Sequence, residues 1–110
     1  MPIIEIPSEY LFPPSSRKGE ARLRREFLRA ADVVLTSPLT LKAMYEFLRA
    51  AKLLMRAVDA PQFQMAHAIS TQAEGMTFAL LTDRPVDLAI IANMMARVQS
   101  WPAPCKGKKA

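Results

Sequence analysis

The chain has 110 residues, 51% of them hydrophobic, with 15 Lys and Arg against 10 Asp and Glu for a net charge of +5. That size suits one domain with a single core, and the apolar content excludes a wholly disordered chain. One Cys and one His exclude an internal disulfide, a Cys-rich zinc site and any two-histidine metal motif.

No strongly apolar run reaches the ~18–20 residues that a membrane span needs. The opening MPIIEIPSEY has no basic stretch ahead of an apolar one, which argues against a secretory leader. The expectation is a protein of the reducing cytoplasm, or of a particle assembled there.

Residues 1–16 hold Pro2, Pro7, Pro13 and Pro14, which forbid a helix because each lacks an N–H and biases its predecessor towards extended backbone. Ile3, Ile4, Ile6, Tyr10, Leu11 and Phe12 lie between them. The segment reads as an extended apolar arm that docks on its own helical body or on a neighbour. A first helix is predicted from about 17 to 36, after Ser15 and Ser16 as caps. Its apolar stripe is Leu23, Phe27, Leu28, Ala31, Val34 and Leu35. Residues 17–29 carry six cations, Arg17, Lys18, Arg22, Arg24, Arg25 and Arg29, against Glu20 and Glu26.

A second helix is predicted over 38–58, with Ser37 as N-cap and Pro38 at the first helical position. Leu41, Met44, Tyr45, Leu48, Ala51, Met55 and Val58 form its apolar ladder. Lys42, Glu46, Arg49, Lys52 and Arg56 form the opposite stripe. The hexapeptide Glu26-Phe27-Leu28-Arg29-Ala30-Ala31 recurs as Glu46-Phe47-Leu48-Arg49-Ala50-Ala51. Alanines beside a Phe–Leu pair permit close helix approach, so the repeat predicts an antiparallel hairpin rather than a solenoid.

From 61 to 82 the periodicity weakens, but the absence of a second convincing strand favours a third helix running through residues 76–81. Gly75 lies inside it or ends it. A fourth helix is predicted over 84–100, with Thr82 or Asp83 as cap and Pro85 in the first turn. Val86, Leu88, Ile90, Ile91, Met94, Met95 and Val98 cover most of its circumference, which predicts burial on more than one side. Residues 101–110 are a Pro-broken basic tail opening with Trp101.

The expected architecture is therefore an all-α bundle of about four helices, an arm at 1–16, a single helical domain at 17–100 and a tail. Catalytic chemistry has little footing. His67 is a lone helical imidazole, Cys105 lacks a base, and Asp83 and Asp87 are explained by capping. Glycines at 19, 75 and 107 alone permit no phosphate-binding loop or nucleophile elbow. No catalytic residue, metal, cofactor or small-molecule ligand is implied.

The leading expectation is a non-enzymatic protein-interaction module: an assembly factor, small structural subunit or protein inhibitor. Its partner would be another protein or further copies of itself. The interface is expected at Ile3, Ile4, Ile6, Leu11, Phe12, Ile90, Met94, Val98 and Trp101, because the apolar surface looks too large for one small bundle to hide. The seven methionines add adaptable apolar groups. The alternative is a nucleic-acid-binding protein using Arg17, Lys18, Arg22, Arg25, Arg29, Lys42, Arg49 and Arg56, which would suit an acidic partner equally. Membrane binding is disfavoured, since the second helix has an obvious partner in the first. The composition is of a kind frequent in accessory proteins of bacteriophages and mobile elements, an expectation from composition alone.

Overall fold

The computed structural model describes residues 5–14, 16–59 and 61–103. These are all helical, without strands: α1 (Ser8–Leu11), α2 (Glu20–Thr36), α3 (Leu41–Ala57), α4 (Gln62–Leu81) and α5 (Leu88–Ser100). The four long helices form a small bundle. α3 is its hub, packing on α1, α2 and α4, while α5 packs on α2.

The hairpin of α2 and α3 is built on the repeated hexapeptide. Phe27 and Phe47 occupy equivalent places in the two copies, and their rings meet at 5.3 Å between centroids, both fully buried. Ala31 and Ala51, the last residues of the copies, are also buried and let the helices approach. The four-residue link 37–40 makes the helices antiparallel neighbours.

The link itself differs from expectation. Ser37 closes α2, its N–H reaching the Val33 carbonyl, and α3 starts later, with the Thr40 hydroxyl accepting from Ala43 N–H at 3.1 Å. Reversing the chain consumes Pro38 and Leu39, so the Ser-Pro pair forms the turn rather than the cap. The start of α2 is displaced in the same way. Ser16 accepts from Lys18 N–H in a preceding turn, and α2 begins at Glu20 after an extended Gly19.

α3 buries Met44, Phe47, Leu48, Ala51, Leu53 and Leu54, more than one stripe, because it has neighbours on several sides. α4 inverts the usual pattern. Its inner face is largely small, with Ala66, Ser70, Ala73 and Thr77 joined by Ile69 and Met76, whereas Phe63, Met65 and Phe78 are exposed. Thr77 returns its hydroxyl to the Ala73 carbonyl, but the buried Ser70 hydroxyl has no hydrogen-bond partner.

Thr82 and Asp83 do not cap the last helix. They end α4: Asp83 takes φ 57°, its N–H bonds the Leu80 carbonyl, and Arg84 N–H bonds the Ala79 carbonyl at 2.7 Å. That pairing is a Schellman closure with Asp where Gly is commoner. α5 therefore starts at Leu88, capped by Asp87, whose carboxylate accepts from Ala89 N–H.

The apolar circumference expected of the last helix resolves into intramolecular burial. Ile91, Met94 and Val98 are in the core, and Leu88, Ile90 and Met95 are half-buried against it. Its outer side is carried by Ala89, Ala92, Asn93 and Ala96. The bundle has room for this helix because α2 offers it a second flank.

The arm is not wholly extended. One helical turn, α1, fits between Pro7 and Pro13, where neither ring removes a bond that the turn needs. Ile6 enters the core, Tyr10 stacks on Tyr45 at 4.6 Å, and the Arg56 guanidinium donates to the Pro13 carbonyl. Ile3 and Ile4 lie outside the described residues, as do residues 104–110.

Two substitutions test this packing by urea unfolding. Phe47→Ala removes the central ring and is expected to cost about 3–5 kcal/mol. Ser70→Ala deletes an unpaired buried hydroxyl and improves helix propensity, so it is expected to stabilise by about 1 kcal/mol.

Candidate functional site

The side of the α2–α3 hairpin that faces away from α4 and α5 is open. A groove of about 360 Å³ runs there, walled by Glu26, Arg29, Ala30 and Val33 of α2 and by Thr40, Lys42, Ala43 and Glu46 of α3. No residue of α4 or α5 lines it. Ala30, Val33 and Ala43 supply the apolar lining, and Val33 remains 43% exposed with nothing packed over it. Leu39, 37% exposed, lies in the link at the hairpin's end.

The charged rim is not balanced, although two acids face two bases. Glu26 is held by Lys18 at 2.8 Å and by Arg22 at 3.5 Å, and Glu46 by Arg49 at 3.8 Å. Arg29 on one wall and Lys42 on the other have no carboxylate within 4 Å among the described residues. The groove thus presents apolar surface between two cations that make no direct ion pair among the described residues.

Several of the basic residues proposed from sequence are engaged within the chain. Lys18 and Arg22 are tied to Glu26, Arg49 to Glu46, and Arg56 to the arm. Arg17, Arg25, Arg29 and Lys42 are left exposed without such a partner among the described residues.

The apolar residues proposed as an interface also divide. Met94 and Val98 are 2% exposed inside the chain's own core, so in this structure they present nothing to a partner, and Ile90 is half-buried beside them. Trp101 is half-buried and lies under Arg24, whose guanidinium sits 5.2 Å from the ring centroid. The same guanidinium donates to the Pro102 carbonyl at 2.7 Å and twice to Glu20. Arg24 therefore clasps the end of α5 to the start of α2. Ile6 is buried and Leu11 half-buried, while Phe12 is 71% exposed.

Sequence reasoning missed Ala30, Val33, Leu39 and Ala43 as surface. A signal was present for Val33: it is β-branched and apolar yet falls off the Leu23–Phe27–Ala31–Val34 stripe. Other depressions occur among the described residues. One, of about 450 Å³, lies between the arm (Glu5, Ile6, Leu11) and α4 (Thr71, Glu74, Gly75, Phe78). A smaller one of about 100 Å³ separates α4 from α5.

The residues with catalytic potential are dispersed. His67 is exposed on α4 with its ring 6.1 Å from that of Phe63, and Asp87 is engaged as a cap. Cys105 is outside the described residues. Among the described residues no group of His, Cys, Asp and Glu could hold a metal ion, and no helix is long and apolar enough to cross a membrane. No protein family, curated protein or solved structure matches the chain.

Two groups near the groove are electrostatically tuned. The hydrogen bond from Lys18, with further attraction from Lys18, Arg22 and Arg29, lowers the Glu26 carboxyl below its ordinary value despite some desolvation. Burial, followed by the neighbouring Glu9, raises the Tyr10 hydroxyl. For Glu26 the folded value is the lower one, so its stabilisation is present at neutral pH and is lost as acid titrates the carboxylate. Glu26→Gln is expected to cost under about 1 kcal/mol at pH 7, because the pair is partly exposed. That difference should vanish as pH falls through the folded-state value. Urea unfolding of both proteins at a series of acid pH values checks it.

Proposed function

We propose that the protein is a non-enzymatic protein-binding module, of the assembly-factor, small-subunit or inhibitor kind, that receives its partner on the open face of the α2–α3 hairpin. The observation that carries this reading is the groove's composition: exposed Val33, with half-buried Ala30 and Ala43, between Arg29 and Lys42. Small residues let a partner side chain reach the groove floor, and an apolar centre with a charged rim is the usual anatomy of a protein interface. This reading places the partner on the hairpin, rather than on the arm and the last helix where the sequence put the interface.

Nucleic acid is the weaker alternative. Binding through phosphates draws on several unengaged cations along one surface, whereas Glu26 and Glu46 interrupt the basic residues here and engage three of them. The non-enzymatic part of the reading rests on what the residues with catalytic potential already do: Asp83 closes α4, Asp87 caps α5, and His67 is an exposed lone imidazole on α4.

A benzophenone amino acid in place of Val33, photolysed in cells that produce the protein, tests the class of partner. The expected result is a covalent adduct that protease removes and nuclease does not. A nuclease-sensitive adduct, or no adduct, would contradict the reading.

A further inference from the structure

We infer that the groove is filled by the N-terminal arm of a second copy of this chain, with Phe12 as its anchor, in a two-fold dimer. The inference rests on the groove's reading as a protein-binding site and specifies what binds there.

The first observation is Phe12 itself. It is the most exposed large apolar residue among those described, at 71%, although both neighbours are covered: Leu11 is half-buried and Pro13 buried. The arm on either side is anchored by Ile6 in the core, by the Tyr10–Tyr45 stack and by the bond from Arg56 to the Pro13 carbonyl. Phe12 is therefore presented on a fixed segment, which keeps the entropy cost of inserting it low.

Charge supplies the second. The arm carries two exposed acids, Glu5 and Glu9, and the groove carries two cations without carboxylate partners, Arg29 and Lys42. The arm thus offers chemistry complementary to those two cations: an exposed aromatic residue preceded on the same segment by two acids. Phe12 of the same chain does not line the groove.

The third is placement. Glu46 walls both the groove and an adjoining cleft lined by the arm residues Glu9, Tyr10 and Pro14. Arm and groove therefore border one another. A two-fold contact uses the same patch on both subunits, so an arm that borders the groove can close as a dimer with two equivalent insertions. Each aromatic ring buries about 150–250 Å². Two rings supply about 300–500 Å², so the hairpin faces around them must supply the larger part of the roughly 1,200 Å² at which specific interfaces begin, and the dimer is expected to be a weak one.

Sedimentation equilibrium on the full chain, up to about 500 μM, tests this. The wild type should show a monomer–dimer equilibrium, and Phe12→Asp and Val33→Asp should each weaken it about tenfold or more. Two charge variants supply a check that misfolding cannot mimic: Glu5→Lys with Glu9→Lys, and Arg29→Glu with Lys42→Glu. Each should be monomeric alone, and an equimolar mixture should dimerise, since both contacts in the mixed dimer pair opposite charges. A monomeric wild type, a Phe12→Asp dimer as tight as wild type, or a mixture that stays monomeric would overturn the inference. If the wild type is monomeric while the photo-reactive group at position 33 still captures a different protein, the dimer is refuted and the binding-module reading survives.

Discussion

The contact between Phe27 and Phe47 is the constraint from which the rest of the bundle follows. These rings are the largest fully buried groups in the chain, and each stands at the same place in a repeated hexapeptide. Their meeting fixes the register of α2 against α3, and the buried alanines that follow them set how closely the two helices lie. With that register fixed, α4 can use α3 and α5 can use α2 without competing for one surface. The hairpin's remaining side has no helix assigned to it. The groove is thus a consequence of the chain's order of packing rather than an isolated dent.

α3 and α4 show two routes to the same end. α3 is buried on several sides because large side chains project from it towards three different neighbours. α4 reaches α3 with a stripe made mostly of Ala, Ser and Thr, and its bulkiest side chains are left outside. Dispersion over a close, small-residue seam can replace the area that large side chains would bury. The Lys52–Glu74 pair at 2.8 Å then bridges the seam's edge, with Lys52 nearly covered. A lysine that sequence places on a solvated stripe is in fact part of a helix–helix joint.

Much of the fold was legible because it rests on local periodicity. The repeat, the apolar ladder of residues 41–58 and the small-to-moderate length of every helix led to an all-helical hairpin-based bundle, with residues 76–81 helical. Boundaries were less legible. Ser37-Pro38 and Thr82-Asp83 resemble helix starts, yet each is used to end a helix or turn the chain, and only the tertiary arrangement decides between these uses. The one-turn helix α1 overturns the reading that the prolines forbid a helix in the arm, because they flank it without entering it.

The candidate site was harder to see, for a physical reason. Composition reports how much apolar surface a chain has but not which part of it the fold covers. Met94 and Val98 were expected outside because their helix is apolar all round, and the fold covers them. Val33 was passed over as one of many apolar residues, and the fold leaves it bare. Charge patterning was misleading in the same manner: Arg24 reads as one cation in a basic run but clasps Trp101 and Pro102, whereas Arg29 and Lys42 are left without carboxylate partners.

The central claim is that the α2–α3 hairpin is the foundation of the fold. Native-state amide hydrogen exchange reads this directly, because the most protected amides report the elements that open only on global unfolding. The account predicts the slowest exchange at Phe27–Ala31 and Phe47–Ala51, with α5 opening earlier. Slowest exchange in α4 and α5, with the hairpin amides exchanging early, would contradict it.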